Sequence, residues 1–200
     1  MLRAMPDAKT LVNTVAQCRF PLHVVAFRRS RRRTLIESDM QRWIQIKRLS
    51  ISPGERALLH LMQHYPAFRS QFYFRLGPIG SVLARIVPGM PTLFFGMSPD
   101  DVGPGLFVQH GFATIVSARR IGANCWINQQ VTIGYIGDDN CPIIGDDVRV
   151  SAGAQVLGAV QVGDRVTVAA NATVITDVPD DSVVAGVPAH IVRDATQDDV

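Results

Sequence analysis

The chain has 200 residues, 47% of them apolar, and carries 20 Lys and Arg against 17 Asp and Glu for a formal charge of +3. Such a length suits one domain with an appendage, and the composition supplies a real core, which excludes a disordered chain. No run of about 18 uninterrupted apolar residues occurs, so no membrane-spanning helix is expected. The balance hides a split: residues 1–90 hold 15 basic against 4 acidic side chains, and residues 91–200 hold 5 against 13. Every acid of the second part is Asp, a residue of turns and corners.

Residues 1–35 form a basic extension, with a short helix expected over Thr10–Cys18. Asn13, Gln17, Arg19, Pro21 and His23 interrupt the apolar stretch Leu11–Phe27, which makes a poor signal peptide. Cys18, Cys125 and Cys141 are far apart and form no CxxC pair, as in a cytoplasmic chain with free thiols. Arg28, Arg29, Arg31, Arg32 and Arg33 cluster as a solvated or disordered basic segment, and a contact with a membrane surface, an anionic glycan or nucleic acid is the sharper expectation. Interleaved aromatics are missing, so no nucleic acid is expected as a partner.

Residues 36–90 read as helical. Ser38 or Asp39 caps a first segment with Met40, Trp43, Ile44 and Lys47. Ser52, Pro53 and Glu55 match N-cap, first and third helical positions, ahead of the apolar face Leu58, Leu59, Leu61 and Met62. Pro66 opens a helix over Ala67–Leu76, with Phe68, Phe72 and Leu76 at spacing four and Gly77 as its C-cap. A last short helix is expected over Ser81–Val87, stopped by Pro88 and Gly89.

From Pro91 the periodicity changes. Ile144, Val150, Val156, Val162, Val168 and Val174 recur every six residues, and Val148, Ala154, Val160, Val166, Ala172 and Val178 stand four further on. Neither a helix nor a flat strand has that period. Short strands separated by sharp corners do, and they coil into a parallel β-solenoid whose repeats bury their apolar side only by stacking. The register runs back through Ile133, Ile127, Ile121 and Ile115, then with a one-residue bulge to Val108 and Val102. It is broken once by a loop over about Tyr135–Ile143. Twelve hexads result, which make four coils if three hexads close one turn, as in the family the motifs below resemble. Cys125 falls on an inward position. Residues 91–178 are thus the solenoid, and 179–200 an arm and a fraying tail. The helices of residues 36–90 should cover the first coil of the solenoid, whose open edge would otherwise invite aggregation.

A solenoid by itself does not define a function. The ordered motifs Tyr65-Pro66-Ala67-Phe68-Arg69, Tyr73-Phe74-Arg75-Leu76-Gly77, Val108-Gln109-His110-Gly111-Phe112, Gln129-Gln130-Val131-Thr132-Ile133-Gly134, Ser151-Ala152-Gly153-Ala154 and Ala185-Gly186-Val187-Pro188-Ala189 do more. Together they resemble the hexapeptide-repeat acyltransferases, and among these the serine acetyltransferase-like group, over about residues 52–193. The resemblance implies a mainly β fold, a left-handed parallel β-helix behind a small helical region. It also implies acetyl-CoA as donor, a hydroxyl acceptor, and homotrimers or dimers of trimers with active sites between protomers.

His110 is the candidate catalytic residue, a general base whose neutral imidazole takes the proton of an acceptor hydroxyl. By resemblance Gly134, Ala152 and Ala170 would line the pantetheine arm of acetyl-CoA, and Gly134 would lie near the oxyanion donors. Arg193, ahead of Arg149 and Arg165, would meet the phosphates. Two positions depart from the family. Gly96 stands where an Asp supports the catalytic His, so Asp100 or Asp101 substitutes for it or backbone or a neighbouring chain orients the ring. Cys141, before Pro142, stands where a second His helps hold the amino-acid acceptor. L-Serine and a sugar hydroxyl therefore both remain acceptors. A zinc solenoid needs three His per site, and the repeat region and its tail offer only His110 and His190, so no metal is expected. The alternative of another class is a non-catalytic scaffold.

Overall fold

The computed structural model describes residues 19–137 and 140–194. The helix expected over Thr10–Cys18 and nearly all of the polar tail lie outside these residues. Five helices come first among those described: α1 (Pro21–Arg29), α2 (Arg33–Ile46), α3 (Glu55–His64), α4 (Pro66–Leu76) and α5 (Pro78–Leu83).

Several sequence-level boundaries move. Asp39 caps nothing: α2 starts at Arg33 and carries Asp39 buried in its middle. The Ser52-Pro53-Glu55 signal places its helix too early, because Gly54, at φ 144°, is the N-cap and Glu55 the first helical residue. The last helix is α5, not Ser81–Val87. Gly77, at φ 63°, turns the chain so sharply that Pro78 starts a new helix at once. The arginine cluster is no loose segment either. Arg28 and Arg29 close α1 and Arg33 opens α2. Arg28 reaches Glu55 at 2.7 Å, Arg32 grips both oxygens of Asp100 at 2.6 Å, and Arg33 pairs with Glu37 at 2.9 Å. Glu55 and Asp100 lie elsewhere in the chain, which is why the segment alone looked unpaired.

The solenoid has three faces. On the first, β1 (Leu93–Phe95), β3 (Thr114–Val116), β6 (Thr132–Gly134), β9 (Gln155–Leu157) and β12 (Thr173–Val174) stack in parallel. On the second, β4 (Arg120–Ile121), β7 (Ile143–Ile144) and β10 (Gln161–Val162) do so, extended by single bridges at Val102 and Val178. On the third lie β2 (Phe107–Val108), β5 (Trp126–Ile127), β8 (Arg149–Val150), β11 (Thr167–Val168) and β13 (Ser182–Ala185), and β14 (His190–Asp194) pairs with β13 antiparallel. Five coils result, one more than the hexads gave. The three added positions are β1, which reaches Val102 only through the 3-10 turn Pro99–Asp101, and Val178 and β13 at the other end, beyond the last hexad residue Val174. Ile115 is also not inward: it is 46% exposed, and Val116 is fully buried in its place. The extra residues sit in the long corner Gln109–Ala113.

Elsewhere the period-six residues do what their chemistry requires. Ile121, Ile127, Ile133, Ile144, Val150, Val156, Val162, Val168 and Val174 are all buried, as is Cys125. The Asp residues of the corners bind across coils. Asp146 Oδ1 accepts from the Ala123 N–H at 2.7 Å, Asp164 Oδ1 from Asp146 N–H at 2.7 Å, and Asp180 Oδ1 from Asp164 N–H at 2.9 Å. A glycine precedes this corner in the first four coils because the coils touch there: a Cβ on Gly145 would stand 2.7 Å from the Gly163 backbone carbon.

The helices sit on the first coil. Trp43 of α2 packs edge-on against Phe107 of β2, with ring centroids 4.6 Å apart, and donates its Nε1–H to Gln71 Oε1 at 3.0 Å. Gln71 Nε2 in turn donates to the Leu106 carbonyl at 2.8 Å. Arg75 of α4 is fully buried. Its Nε and Nη2 donate to the Asp39 carboxylate at 2.8 and 3.1 Å, and its remaining N–H groups reach the carbonyls of Pro99, Val102 and Gly103. Asp39 Oδ1 also accepts from the Leu106 N–H at 2.9 Å. Burial pushes the Asp39 carboxyl up, and the Arg75 guanidinium pulls it back down. Removing one partner of such a pair leaves a buried charge alone. Asp39→Ala should therefore lower the unfolding free energy by about 3–5 kcal/mol, seen as a large drop in the urea midpoint. Asp164→Ala, which frees one corner N–H near solvent, should cost only about 1 kcal/mol in the same measurement.

Candidate active site

His110 lies on the corner that carries the chain from the third face of the first coil to the first face of the second. His110, Gly111 and Ala113 have φ of 63°, 72° and 50°, so this corner is held largely in left-handed backbone. Two features keep it so. The Gly111 N–H donates to the Gln109 carbonyl at 2.8 Å, closing a tight turn. A Cβ on Gly111 would stand 3.2 Å from Ala67 Cβ and 3.1 Å from Leu93, so the corner presses on α4. Two motifs far apart in the chain, Tyr65-Pro66-Ala67 and Gln109-His110-Gly111, thereby meet.

Between them opens a cleft of about 290 Å³. From the helical layer come Trp43, Lys47 and residues 64–67; from the solenoid side come Met90, His110 and Phe112. The His110 side chain is exposed. The Gln109 amide nitrogen lies 3.3 Å from His110 Nε2 and can only donate, so in this arrangement Nε2 is the ring's acceptor. His64 holds its place by an Nδ1 hydrogen bond with the His60 carbonyl at 2.9 Å and by stacking on the His60 ring at 4.4 Å. Burial, and then the neighbouring His64, push the His60 imidazole down. A larger cleft of about 860 Å³, between α4, α5 and β1, has no imidazole or carboxylate in its walls. Of these two, the smaller one carries the imidazoles that acid–base chemistry needs.

The other candidates are dispersed. Asp100 and Asp101 border a separate cleft with Arg119, Arg120 and Asp146, on the far side of the first coil. The guanidinium of Arg32 holds the Asp100 carboxyl below its ordinary value. Within one protomer neither Asp lines the cleft that holds His110. At Gly96 an added Cβ would stand 3.0 Å from the Phe94 ring and 3.1 Å from Ser117 Oγ. Ala152 and Ala170 lie on the same corner column as His110, two and three coils further on, and Ala152 accepts from the Asn171 N–H at 3.0 Å. Gly134 ends β6 at the opposite edge of the first face. A Cβ there would meet only Thr132, at 3.8 Å, so the space beside it is open. Cys141 stands further along on that edge and is half-buried.

Arg193 is exposed and its Nη1 donates to the Asp194 carbonyl at 3.2 Å. Arg165 grips Asp181 at 2.6 and 2.8 Å, and Arg149 lies 4.6 Å over the Trp126 ring, so both are engaged within the solenoid. Sequence reasoning missed Lys47, His64 and Tyr65 as neighbours of His110. Only the fold of α4 onto the Gln109–Ala113 corner brings them there. Among the described residues no cluster of three or more metal-ligating side chains occurs, and no helix is long and apolar enough to cross a membrane.

Stacked six-residue coils under a helical layer are a hexapeptide-repeat solenoid, and comparison finds the same repeat in transferases. The family model "Bacterial transferase hexapeptide (six repeats)" matches residues 141–176. A serine acetyltransferase of Staphylococcus xylosus is 38% identical over 119 residues, 56% of this chain and 55% of that one. One of Synechococcus elongatus is 30% identical over 152 residues, 70% of this chain and 62% of that one. The chain thus spans little more than half the length of these curated relatives. Solved structures share the fold. Soybean serine acetyltransferase superposes with a TM-score of 0.61 at 26% identity, over 80% of this chain and 68% of that one. A serine acetyltransferase in complex with CoA gives 0.62 at 20%, over 90% and 83%, and the Neisseria gonorrhoeae enzyme in complex with serine 0.59 at 24%, over 78% and 67%. This chain is similar to the serine acetyltransferases over most of its length, and its residues 141–176 match the hexapeptide-repeat model.

Burial pushes the Cys125 thiol up to about 12. In the folded protein iodoacetamide at pH 8 should modify Cys141 and spare Cys125, and 8 M urea should make both reactive, as peptide mass spectrometry would show.

Proposed function

We propose that the protein is an acetyl-CoA-dependent O-acetyltransferase whose acceptor is a hydroxyl of L-serine or of a sugar, with His110 as general base. The observation that carries this is the placement of an exposed imidazole in the cleft where the helical layer meets the coil corner. Acetyl-CoA, as a substrate, supplies an activated thioester. Ala152 and Ala170 of one protomer and Gly134 of the next would line its pantetheine arm, and Arg193, near the end of the solenoid, would meet its phosphates. The neutral His110 ring offers Nε2, now facing Gln109, to the proton of the acceptor hydroxyl. The new ester C–O bond forms as the thioester C–S bond breaks, and the proton passes from the imidazole to the departing sulfur.

Structural relatives are crystallised with CoA and with serine, which supports the donor and a hydroxyl acceptor for this chain. A homotrimer completes the reading: the edge with Gly134 and Cys141 on one protomer would face the His110 corner of the next. The scaffold reading has no comparable support, since it gives the His110 corner no role.

His110→Ala should lower kcat by about 10²- to 10⁴-fold in an assay of CoA release, with acetyl-CoA binding by calorimetry unchanged. An unaltered rate would remove His110 from the chemistry.

A further inference from the structure

We propose that the cleft beside His110 takes a phosphorylated sugar, its anionic group held by Lys47 and its ring packed between Tyr65 and Phe112. This rests on the transferase reading and narrows its acceptor. Three observations carry it.

Lys47 comes directly after the last helical residue of α2 and borders the same cleft as His110. It is half-buried, its ammonium lies 5.7 Å from the Tyr65 ring centroid and 5.4 Å from that of Phe107, and it makes no ion pair among the described residues. A half-buried ammonium whose neighbours are ring faces lacks the carboxylate that desolvation normally demands. An anionic ligand supplies that missing charge.

The walls of the cleft carry cationic or titratable nitrogen at Lys47, His64 and His110 and, among the described residues, no carboxylate. A free amino acid would bring an ammonium with nothing there to balance it. The first turn of α4 opens on the same space, with Pro66 and Ala67 in the wall and no side chain capping it. Its free N–H end adds to the positive potential already set by Lys47.

Aromatic walls complete the match. Trp43, Tyr65 and Phe112 border a volume of about 290 Å³, at the small end of ligand sites and of a size for one sugar ring with its phosphate near the mouth. Phe112 is 44% exposed, so its ring is available to a ligand. Sugar phosphate and nucleotide-linked sugar share this chemistry, and the assay separates them.

The test offers the purified full chain acetyl-CoA with one acceptor at a time: L-serine, neutral N-acetylglucosamine, its 1-phosphate, and its UDP-linked form. Acetylated product is measured by mass spectrometry. One or both phosphorylated acceptors should exceed serine and the neutral sugar by about tenfold or more in kcat/KM. Their KM should rise as salt goes from about 0.05 to 0.5 M, a readout that needs no variant. Lys47→Gln should raise that KM about tenfold with kcat little changed, and Lys47→Arg should recover most of the loss. Preference for serine or the neutral sugar, a KM indifferent to salt, or a Lys47→Gln variant that keeps the phosphate preference would overturn the proposal. So would acetyl-CoA binding with no phosphorylated acceptor turned over, which leaves the donor reading intact. Failure to bind acetyl-CoA would remove both.

Discussion

The structure turns on one buried guanidinium. Arg75 spends all its N–H groups on Asp39 and on three carbonyls of the first coil, and Asp39 reaches the Leu106 N–H from the other side. A solenoid coil and a helix have no intrinsic register with each other. Apolar packing such as Trp43 on Phe107 holds them together but tolerates sliding. Directional hydrogen bonds from a planar fork do not, and a buried pair fully supplied with partners fixes one arrangement. Through it α2 and α4 are set against the coil, and with them Lys47 and Tyr65 against His110.

The corner that carries His110 is built by the same need for close contact. The coil must turn within a few residues beneath α4, and it does so in left-handed backbone with a glycine where α4 presses closest. The extra length of this corner shifts the inward place from Ile115 to Val116, and the imidazole it carries is exposed. Packing and function thus meet at Gly111. The residue that permits the turn is the neighbour of the residue proposed for the chemistry.

Most of the solenoid was legible because its physics is periodic. A buried β-branched residue every sixth position, with Asp and Gly at the corners, can be read off the chain where coils repeat, from Ile121 to Val174. What was not legible is what does not repeat. The first strand, Leu93–Phe95, escapes the period because Gly96–Asp101 stretches the coil it opens. The arginine cluster looked loose because Glu55 and Asp100 lie far along the chain. Asp39 looked like a cap because its partner, Arg75, is 36 residues away. The site divides in the same way. His110 and the small residues of the corner column stand in motifs, whereas Lys47 and His64 join the cleft only through tertiary packing, and Asp100 proved to belong to a different surface.

A stack of equivalent coils carries no internal instruction about where to stop, since each exposes the same ladder that it satisfies below. Here the third face ends because β14 runs back along β13, antiparallel and exposed along its whole length. A strand of reversed polarity cannot template another parallel turn, so the ribbon is given a finite height on that face. At the other pole the helices perform the equivalent task. A molecule built by repetition is thereby kept from becoming a fibre by the two segments that refuse to repeat.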